Sequence, residues 1–173
     1  MQVTVAKFLD VAKGVQANQF SIGDRYTIDS ISDLDDTYKQ LMDKPIPVVM
    51  AVMGGDGRPN LTPMWFDYEG DTVLVNVANQ RKKTNWIRKT PKMTLLLLNP
   101  ENMYHWMSMK VTVEREISED DPQNGEWVTK QLNRIWRKYI GEGEYGLRDP
   151  SINERRVLFE CRVDKIATFG QPS

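Results

Sequence analysis

The sequence has very few residues for disulfide or metal chemistry. Its 173 residues include one cysteine and one histidine. A single cysteine excludes an internal disulfide and agrees with a reducing compartment, so we predict a cytoplasmic protein. We interpret Cys161 as a small buried residue on a strand. His105 has no cysteine or carboxylate at ligand spacing beside it, so we predict no metal site and a histidine satisfied in the core.

Neither a strong net charge nor a long apolar run is present. The formal net charge is −1, so no global field attracts nucleic acid or an anionic membrane. No apolar stretch approaches the roughly 18 residues of a transmembrane helix. We therefore predict no nucleic-acid partner and no membrane partner, and any anion site must be local. With 40% hydrophobic residues, the chain is long enough for a globular core.

Short apolar segments separated by turn residues predict a mainly β protein with flanking helices (α+β). Strands are expected between residues 46 and 78, with "EGD" as a tight hairpin, and over residues 103–117 and 155–169. "MTLLLL" (93–98) is apolar on both faces, which predicts a strand buried on both sides. The mostly antiparallel order favours a closed or nearly closed barrel, with a sandwich as the alternative.

The first 32 residues stand apart as an N-terminal extension, ahead of a main domain over residues 33–173. Val5, Phe8, Leu9 and Ala12 fall on one face of a helix. We therefore expect the extension to be partly helical and packed on the domain or on a partner subunit.

The segment "NVANQRKKTNWIRKTPKMTLLLL" (76–98) contains six cations between two apolar runs. Its spacing predicts a helix over residues 79–90, with Asn79 as the N-cap and Pro91 beyond the end. Arg81, Lys82 and Lys83 then lie in the first turn, where the helix dipole makes each cation cost about 0.3–1 kcal/mol. A bound anion such as a phosphate would remove this conflict. A solvated basic turn with acids nearby in space is the alternative, and the charge pattern leaves both open.

A longer stretch carries a resemblance to a known family. It reads "DGRPNLTPMWFDYEGDTVLVNVANQRKKTNWIRKTPKMTLLLLNPENMYHWMSMKVTVE" (56–114). It resembles the pyridoxamine 5'-phosphate oxidase-like split β-barrel family, and within it the branch of deazaflavin (coenzyme F-420)-dependent enzymes. The resemblance runs from about Pro47 to Gly170. It implies a homodimer of antiparallel split barrels, with a flavin or deazaflavin in a groove at the dimer interface.

The resemblance also implies a set of cofactor-binding residues. The cofactor phosphate would meet the three cations of the basic turn, and the other contacts would come from backbone groups and aromatic side chains. The ring edge is assigned to Thr62, Pro63, Met64 and Trp65; the ring and ribityl flank to Val77, Ala78 and Asn79; the phosphate to Arg81, Lys82 and Lys83; and the contribution of a neighbouring subunit to Tyr104 and Trp106. Trp65 has a second interpretation, as a core or dimer-interface aromatic. The sequence departs from the family at Trp86, where asparagine is usual, and in "MKVTVE", which lacks the common glycine.

The function that the resemblance implies is an oxidoreductase. It would transfer a hydride between bound coenzyme F-420 or FMN and a small electrophilic substrate. No catalytic residue is assigned. Two other classes remain open: a non-catalytic cofactor carrier or haem-binding protein that uses His105 as a ligand, and a dimeric structural protein whose basic turn is only solvated.

Overall fold

Nine strands and three α-helices form the part of the chain that the computed structural model describes, residues 1–8 and 22–169. The strands are β1 Val3–Phe8, β2 Ile22–Ile28, β3 Val48–Met53, β4 Pro59–Met64, β5 Asp67–Glu69, β6 Thr72–Ala78, β7 Lys92–Leu98, β8 Trp106–Ser118 and β9 Arg156–Phe169. The helices are α1 Asp36–Asp43, α2 Lys82–Lys89 and α3 Gly125–Tyr139, with 3-10 turns at Ile31–Asp33 and Pro150–Ile152. None of these helices is long and apolar enough to cross a membrane.

All nine strands belong to one sheet, in the order β2-β1-β9-β8-β7-β3-β4, with β6 pairing with β9 and β5 outside this path. The long strand β9 pairs with β8 along one edge. Its other edge is divided between β6, antiparallel to its first half, and β1, parallel to its second half. The prediction of a mainly β, antiparallel-dominated fold with flanking helices is confirmed. The sheet is mixed because of the β1–β9 pair, and it does not close on itself.

The core lies between the sheet and the helices that cover it. On β7, Met93, Leu95 and Leu97 are buried, whereas Leu96 is half-buried and Leu98 is exposed. The prediction that this strand is buried on both sides is therefore wrong. The outer face of β7 therefore remains partly open to solvent.

The helical expectation for the N-terminus is wrong where the structure describes it. Val3–Phe8 and Ile22–Ile28 are strands, whereas Leu9 and Ala12 lie outside the described residues. Val3 and Val5 alternate with polar neighbours at the period of a strand, and both are buried in the core. The open second half of β9 supplies backbone partners for this segment. The boundary between residues 1–32 and a cofactor-binding domain over 33–173 stays a prediction.

The basic segment does form a short helix, but α2 begins three residues later than predicted. Arg81 is the N-cap residue, without a side-chain capping bond, and the prediction of Asn79 as N-cap is wrong. The backbone N–H of Asn79 donates to the carbonyl of Arg155, at 2.8 Å, so this residue still continues the β6–β9 pairing. The first helical residues are consequently Lys82 and Lys83.

Candidate functional site

A cavity of about 510 Å³ lies where β4, β6, α2, α3 and the start of β9 meet. Ligand pockets of proteins typically measure about 300–1,000 Å³. The walls of this cavity are lined by Thr62, Pro63, Met64, Trp65, Asn76, Val77, Ala78, Arg81, Lys83, Leu132, Ile135, Tyr145, Leu147 and Arg156. Eight of the twelve residues assigned from the sequence are in this set: Thr62, Pro63, Met64, Trp65, Val77, Ala78, Arg81 and Lys83.

The turn between β6 and α2 is held firmly against the sheet. The buried Thr84 hydroxyl donates to the carbonyl of Ala78 at 2.8 Å. The Gln80 side chain donates to the carbonyl of Asn153 at 3.2 Å, which ties the turn to the segment before β9. These bonds fix the backbone that carries Arg81 and Lys83 to the cavity wall.

The cations of this turn lack acidic partners. Among the described residues, none of Arg81, Lys82 and Lys83 forms an ion pair with an acid. The ammonium group of Lys83 donates instead to the hydroxyl of Thr62, at 3.3 Å. Burial lowers the pKa of Lys83, and the positive charges of Arg81 and Arg156 lower it further. The pKa of Asp149 is lowered by hydrogen bonds from Ser151 and, in smaller part, by the charge of Arg81. The alternative of acids nearby in space therefore has support at Arg81, whereas no acid pairs with Lys83.

An aromatic cluster connects the cavity to α3, and two of its members, Trp65 and Tyr145, line the cavity. Trp65 stacks on Tyr139, with 5.2 Å between ring centroids and 10° between ring planes. Its other neighbour is Trp136, at 6.1 Å, which meets the Tyr145 ring edge-on at 5.8 Å. Trp65 is half-buried, packs on α3 and also lines the cavity, so its two interpretations are compatible.

Sequence reasoning missed a buried polar network behind the cavity. Arg156 is buried and donates to the Asn76 side chain at 2.9 Å and to Glu154 at 2.7 Å. Asn76 in turn donates to Gln131 on α3, at 3.0 Å. The one available signal was Asn76, a polar residue inside the apolar strand "TVLVNVA". Nothing in the sequence distinguished Arg156 from the arginine before it.

Four assigned residues lie away from the cavity lining. The Asn79 side chain accepts from Arg88 at 2.7 Å, and Lys82 is exposed. Tyr104 is 65% exposed just before β8. Trp106 begins β8 and stacks on Phe169 at 5.9 Å and 7°. Their assignment to a cofactor stays a prediction, and for Tyr104 and Trp106 it depends on a second subunit.

Cys161 is buried in the core, and His105 is half-buried with partners for both ring nitrogens. One ring nitrogen of His105 lies 3.1 Å from the Asn99 amide nitrogen, and the other lies 3.0 Å from the Thr37 carbonyl. The prediction of a satisfied histidine is confirmed. Burial raises the pKa of Cys161 to about 12, because the thiolate would lose its hydration. No cluster of three or more potential metal ligands occurs in residues 1–8 and 22–169.

The fold and the cavity together define a class of protein. It is a split barrel with a cavity of cofactor size, whose wall combines two cations at the start of α2, apolar and aromatic side chains, and the polar pair Asn76 and Arg156. The chain belongs to the pyridoxamine 5'-phosphate oxidase family, a flavin-binding family whose profile matches residues 34–170.

Solved structures with the same fold differ in what they bind. An F420 reductase aligns with a TM-score of 0.60 and 21% identity, over 77% of this chain and 98% of that one. The haem storage protein HutZ from Vibrio cholerae aligns with a TM-score of 0.56 and 11% identity, over 76% of this chain and 92% of that one. An FAD-binding protein from Mesorhizobium loti aligns with a TM-score of 0.50 and 17% identity, over 74% of this chain and 88% of that one. At these identities the likeness shows the fold alone. A comparison with curated proteins found no match.

Proposed function

We propose that the cavity binds the phosphate-bearing form of a flavin or deazaflavin, and that the protein is an oxidoreductase. It would transfer a hydride between FMN or coenzyme F-420 and a small electrophilic substrate. The observation that carries the proposal is the pair Arg81 and Lys83, two cations on the cavity wall that form no direct ion pair with an acid among the described residues.

Charge balance supports a phosphate at this end of the cavity. A phosphate monoester carries about −1.5 to −2 charges at neutral pH, which matches the two cations that line the wall. The first N–H groups of α2 lack helical partners and add to the attraction. A bound phosphate would also offset the burial cost of the Lys83 charge.

The rest of the cavity suits a flat aromatic ring. Met64, Trp65, Val77, Leu132 and Ile135 offer apolar surface around it. The bound cofactor would supply the hydride chemistry, and this chain would supply binding, orientation and exclusion of water. A haem role for His105 has less support, because both of its ring nitrogens already have protein partners.

We further propose that the protein works as a homodimer. The outer faces of β3, β4 and β7 form one exposed apolar surface, which we call the outer face. It consists of Val49, Ala51, Met53, Leu61, Pro63, Leu96 and Leu98, cross-strand neighbours by register. Contiguous apolar surface of this kind is typical of protein–protein interfaces. A partner subunit docked there is also what the assignment of Tyr104 and Trp106 requires.

The first test is a fluorescence titration of cofactor-free protein with FMN and with coenzyme F-420, side by side. We expect tight binding of at least one. Lys83→Ala should weaken that binding by about 10- to 100-fold, since a charge-assisted hydrogen bond contributes about 1.5–3 kcal/mol. Riboflavin, which lacks the phosphate, should be nearly insensitive to the substitution.

Lys89→Ala is the matched control, because Lys89 is exposed at the other end of α2. It should leave both affinities unchanged. Unchanged FMN and F-420 affinity in Lys83→Ala would refute the phosphate assignment. Binding of neither cofactor to the wild type would refute the proposed function.

A further inference from the structure

Arg156 presents a fixed guanidinium group to the cavity. An arginine has five N–H donors. Nε donates to the side-chain oxygen of Asn76 at 2.9 Å, Nη2 to the carbonyl of the same residue at 3.1 Å, and Nη1 to Glu154 at 2.7 Å. One N–H on each terminal nitrogen is left without a partner in the described part of the chain. A buried donor without a partner is costly, so these two groups call for an acceptor in the cavity.

The charge of Arg156 is already balanced, unlike the charges of Arg81 and Lys83. The Glu154 side chain is only 3% exposed and pairs directly with Arg156, whose side chain is 11% exposed. A second anion is therefore not needed for neutrality. Arg156 instead offers two directed N–H donors. Its guanidinium carbon lies 5.2 Å from the centroid of the Tyr145 ring. Such a group fits a polar acceptor on an aromatic ligand.

The guanidinium lies on the Asn76 side of the cavity, although its charge still reaches Lys83. The Cα of Arg156 pairs with Ala78, but its side chain reaches back to Asn76. Two residues of strand correspond to about 7 Å, in the direction opposite to the turn that carries Arg81. The contact of Asn76 with Gln131 places this part of the network against α3. Arg156 therefore lies further from the α2 N-terminus along the cavity wall than Arg81 does, on the side of α3.

We infer that Arg156 contacts the ring of the cofactor and favours its reduced form, an inference that rests on the proposed function. Its two available N–H groups would donate to the carbonyl and nitrogen acceptors of the pyrimidine half of the ring. A hydride brings two electrons and one proton, so its addition leaves one more negative charge on the ring. Hydrogen bonds to a charged acceptor are roughly twice as strong as those between neutral groups. Glu154 and Asn76 are positioning residues that hold the guanidinium in place.

The test compares the oxidised and reduced cofactor in variants that remove the group. Arg156→Gln alone would leave the Glu154 carboxylate buried and unpaired, so it is combined with Glu154→Gln. Arg156→Lys, which keeps the charge but loses the planar fork, is a second variant. The probes are FMN and coenzyme F-420, and riboflavin for the ring without its phosphate. The readouts are the dissociation constants and the midpoint potential of the bound cofactor, and urea unfolding checks the fold.

In the double variant, the preference for reduced over oxidised cofactor should fall about tenfold, which lowers the midpoint potential by about 30 mV for two electrons. Arg156→Lys should lower the midpoint potential as well, but by a smaller amount. FMN and riboflavin should lose affinity by the same factor. Arg162→Gln, which removes a charge from an exposed position on the same strand, should change neither quantity.

Three results would overturn the inference. If FMN loses affinity but riboflavin does not, Arg156 belongs to the phosphate end. If a folded Arg156→Lys or double variant keeps the wild-type potential and affinities, the residue does not touch the ring, while the proposed function stands. If the wild type binds none of the probes, the proposed function fails as well, which is visible before any variant is made.

Discussion

At the scale of single residues, Lys83 is the side chain whose environment is most specific. A lysine normally keeps its ammonium group in water, but here burial and two neighbouring cations lower its pKa. A lowered pKa means that folding weakens proton binding, so the unfolded chain holds this proton more tightly. The charge of Lys83 therefore opposes folding below its folded pKa, and this penalty disappears as the pH rises above the ordinary value. A bound phosphate would reverse the shift.

This reversal predicts a pH dependence of binding. The affinity for FMN, or for coenzyme F-420, should fall as the pH rises through the lowered pKa of Lys83, starting below the ordinary lysine value of 10.5. Isothermal titration calorimetry from about pH 7 to about pH 10 measures it, within the range of ordinary lysine titration. Lys83→Arg should flatten the profile, because an arginine stays charged over this range. The same decline in Lys83→Arg would mean that another group titrates.

At the scale of elements, β1 shows how the N-terminal segment belongs to the sheet. It lies between β2, antiparallel to it, and β9, parallel to it. Val5 is fully buried on its inner face, whereas Thr4 is exposed on the opposite face. The family profile begins at residue 34, so this strand is an addition to the part that the family shares. Its burial nevertheless makes it part of the same core.

A matched pair of substitutions tests this role of β1. Val5→Asp should lower the free energy of unfolding by about 3–5 kcal/mol, because it buries an uncompensated charge. Thr4→Asp adds the same side chain on the exposed face and should cost less than about 1 kcal/mol. Urea unfolding followed by tryptophan fluorescence distinguishes the two. Equal stability of both variants would show that β1 is not docked on β9 in solution.

The elements also show what the sequence could predict. The strand β8 and the helix α3 follow from clear periods in long segments. The start of the chain contains two periods at once, since Val5 fits both a strand with Val3 and a helix with Phe8. The helical period predicts a helix, but the segment forms a strand because the free edge of β9 offers it backbone partners. Local patterns do not report which strand edge is free.

The candidate site likewise has a part that the sequence could predict and a part that it could not. The cations and the ends of β4 and β6 are close in sequence, so the resemblance located them. Arg156 meets Asn76 across 80 positions. Such a network forms only once β6 and β9 are paired, so no residue spacing in the sequence predicts it. The tertiary fold was needed to find the polar part of the cavity wall.

At the scale of the whole molecule, the outer face leaves large apolar side chains exposed on one side of the sheet. Leu61 is 63% exposed at its edge, and Met53 and Leu98 are exposed on the same side of the sheet. A monomer would leave this apolar surface in water. Burial of apolar surface contributes about 25 cal/mol per Å² before the costs of association, so a partner that covers the face gains substantially.

We therefore predict that Leu61→Lys shifts the protein from dimer to monomer. A lysine covered by an apolar interface would lose its hydration without a partner. Sedimentation velocity measures the change, and Ile152→Lys is the control, because Ile152 is exposed on the 3-10 turn before β9. If the cofactor site needs a second subunit, Leu61→Lys should also weaken FMN or F-420 binding. A dimer that persists in Leu61→Lys would place the interface elsewhere.

The divided edge of β9 has a consequence for the order of folding during synthesis. Thr4 pairs with Lys165, so the partner of β1 is synthesised long after β1 itself. Until then, β1 has only β2 to pair with, and a two-stranded hairpin is marginally stable in water. Contacts between such distant positions are slow to form. While the segment between the two strands is synthesised, the nascent chain therefore carries β1 without its final partner, and a chaperone that binds extended apolar segments could bind it there.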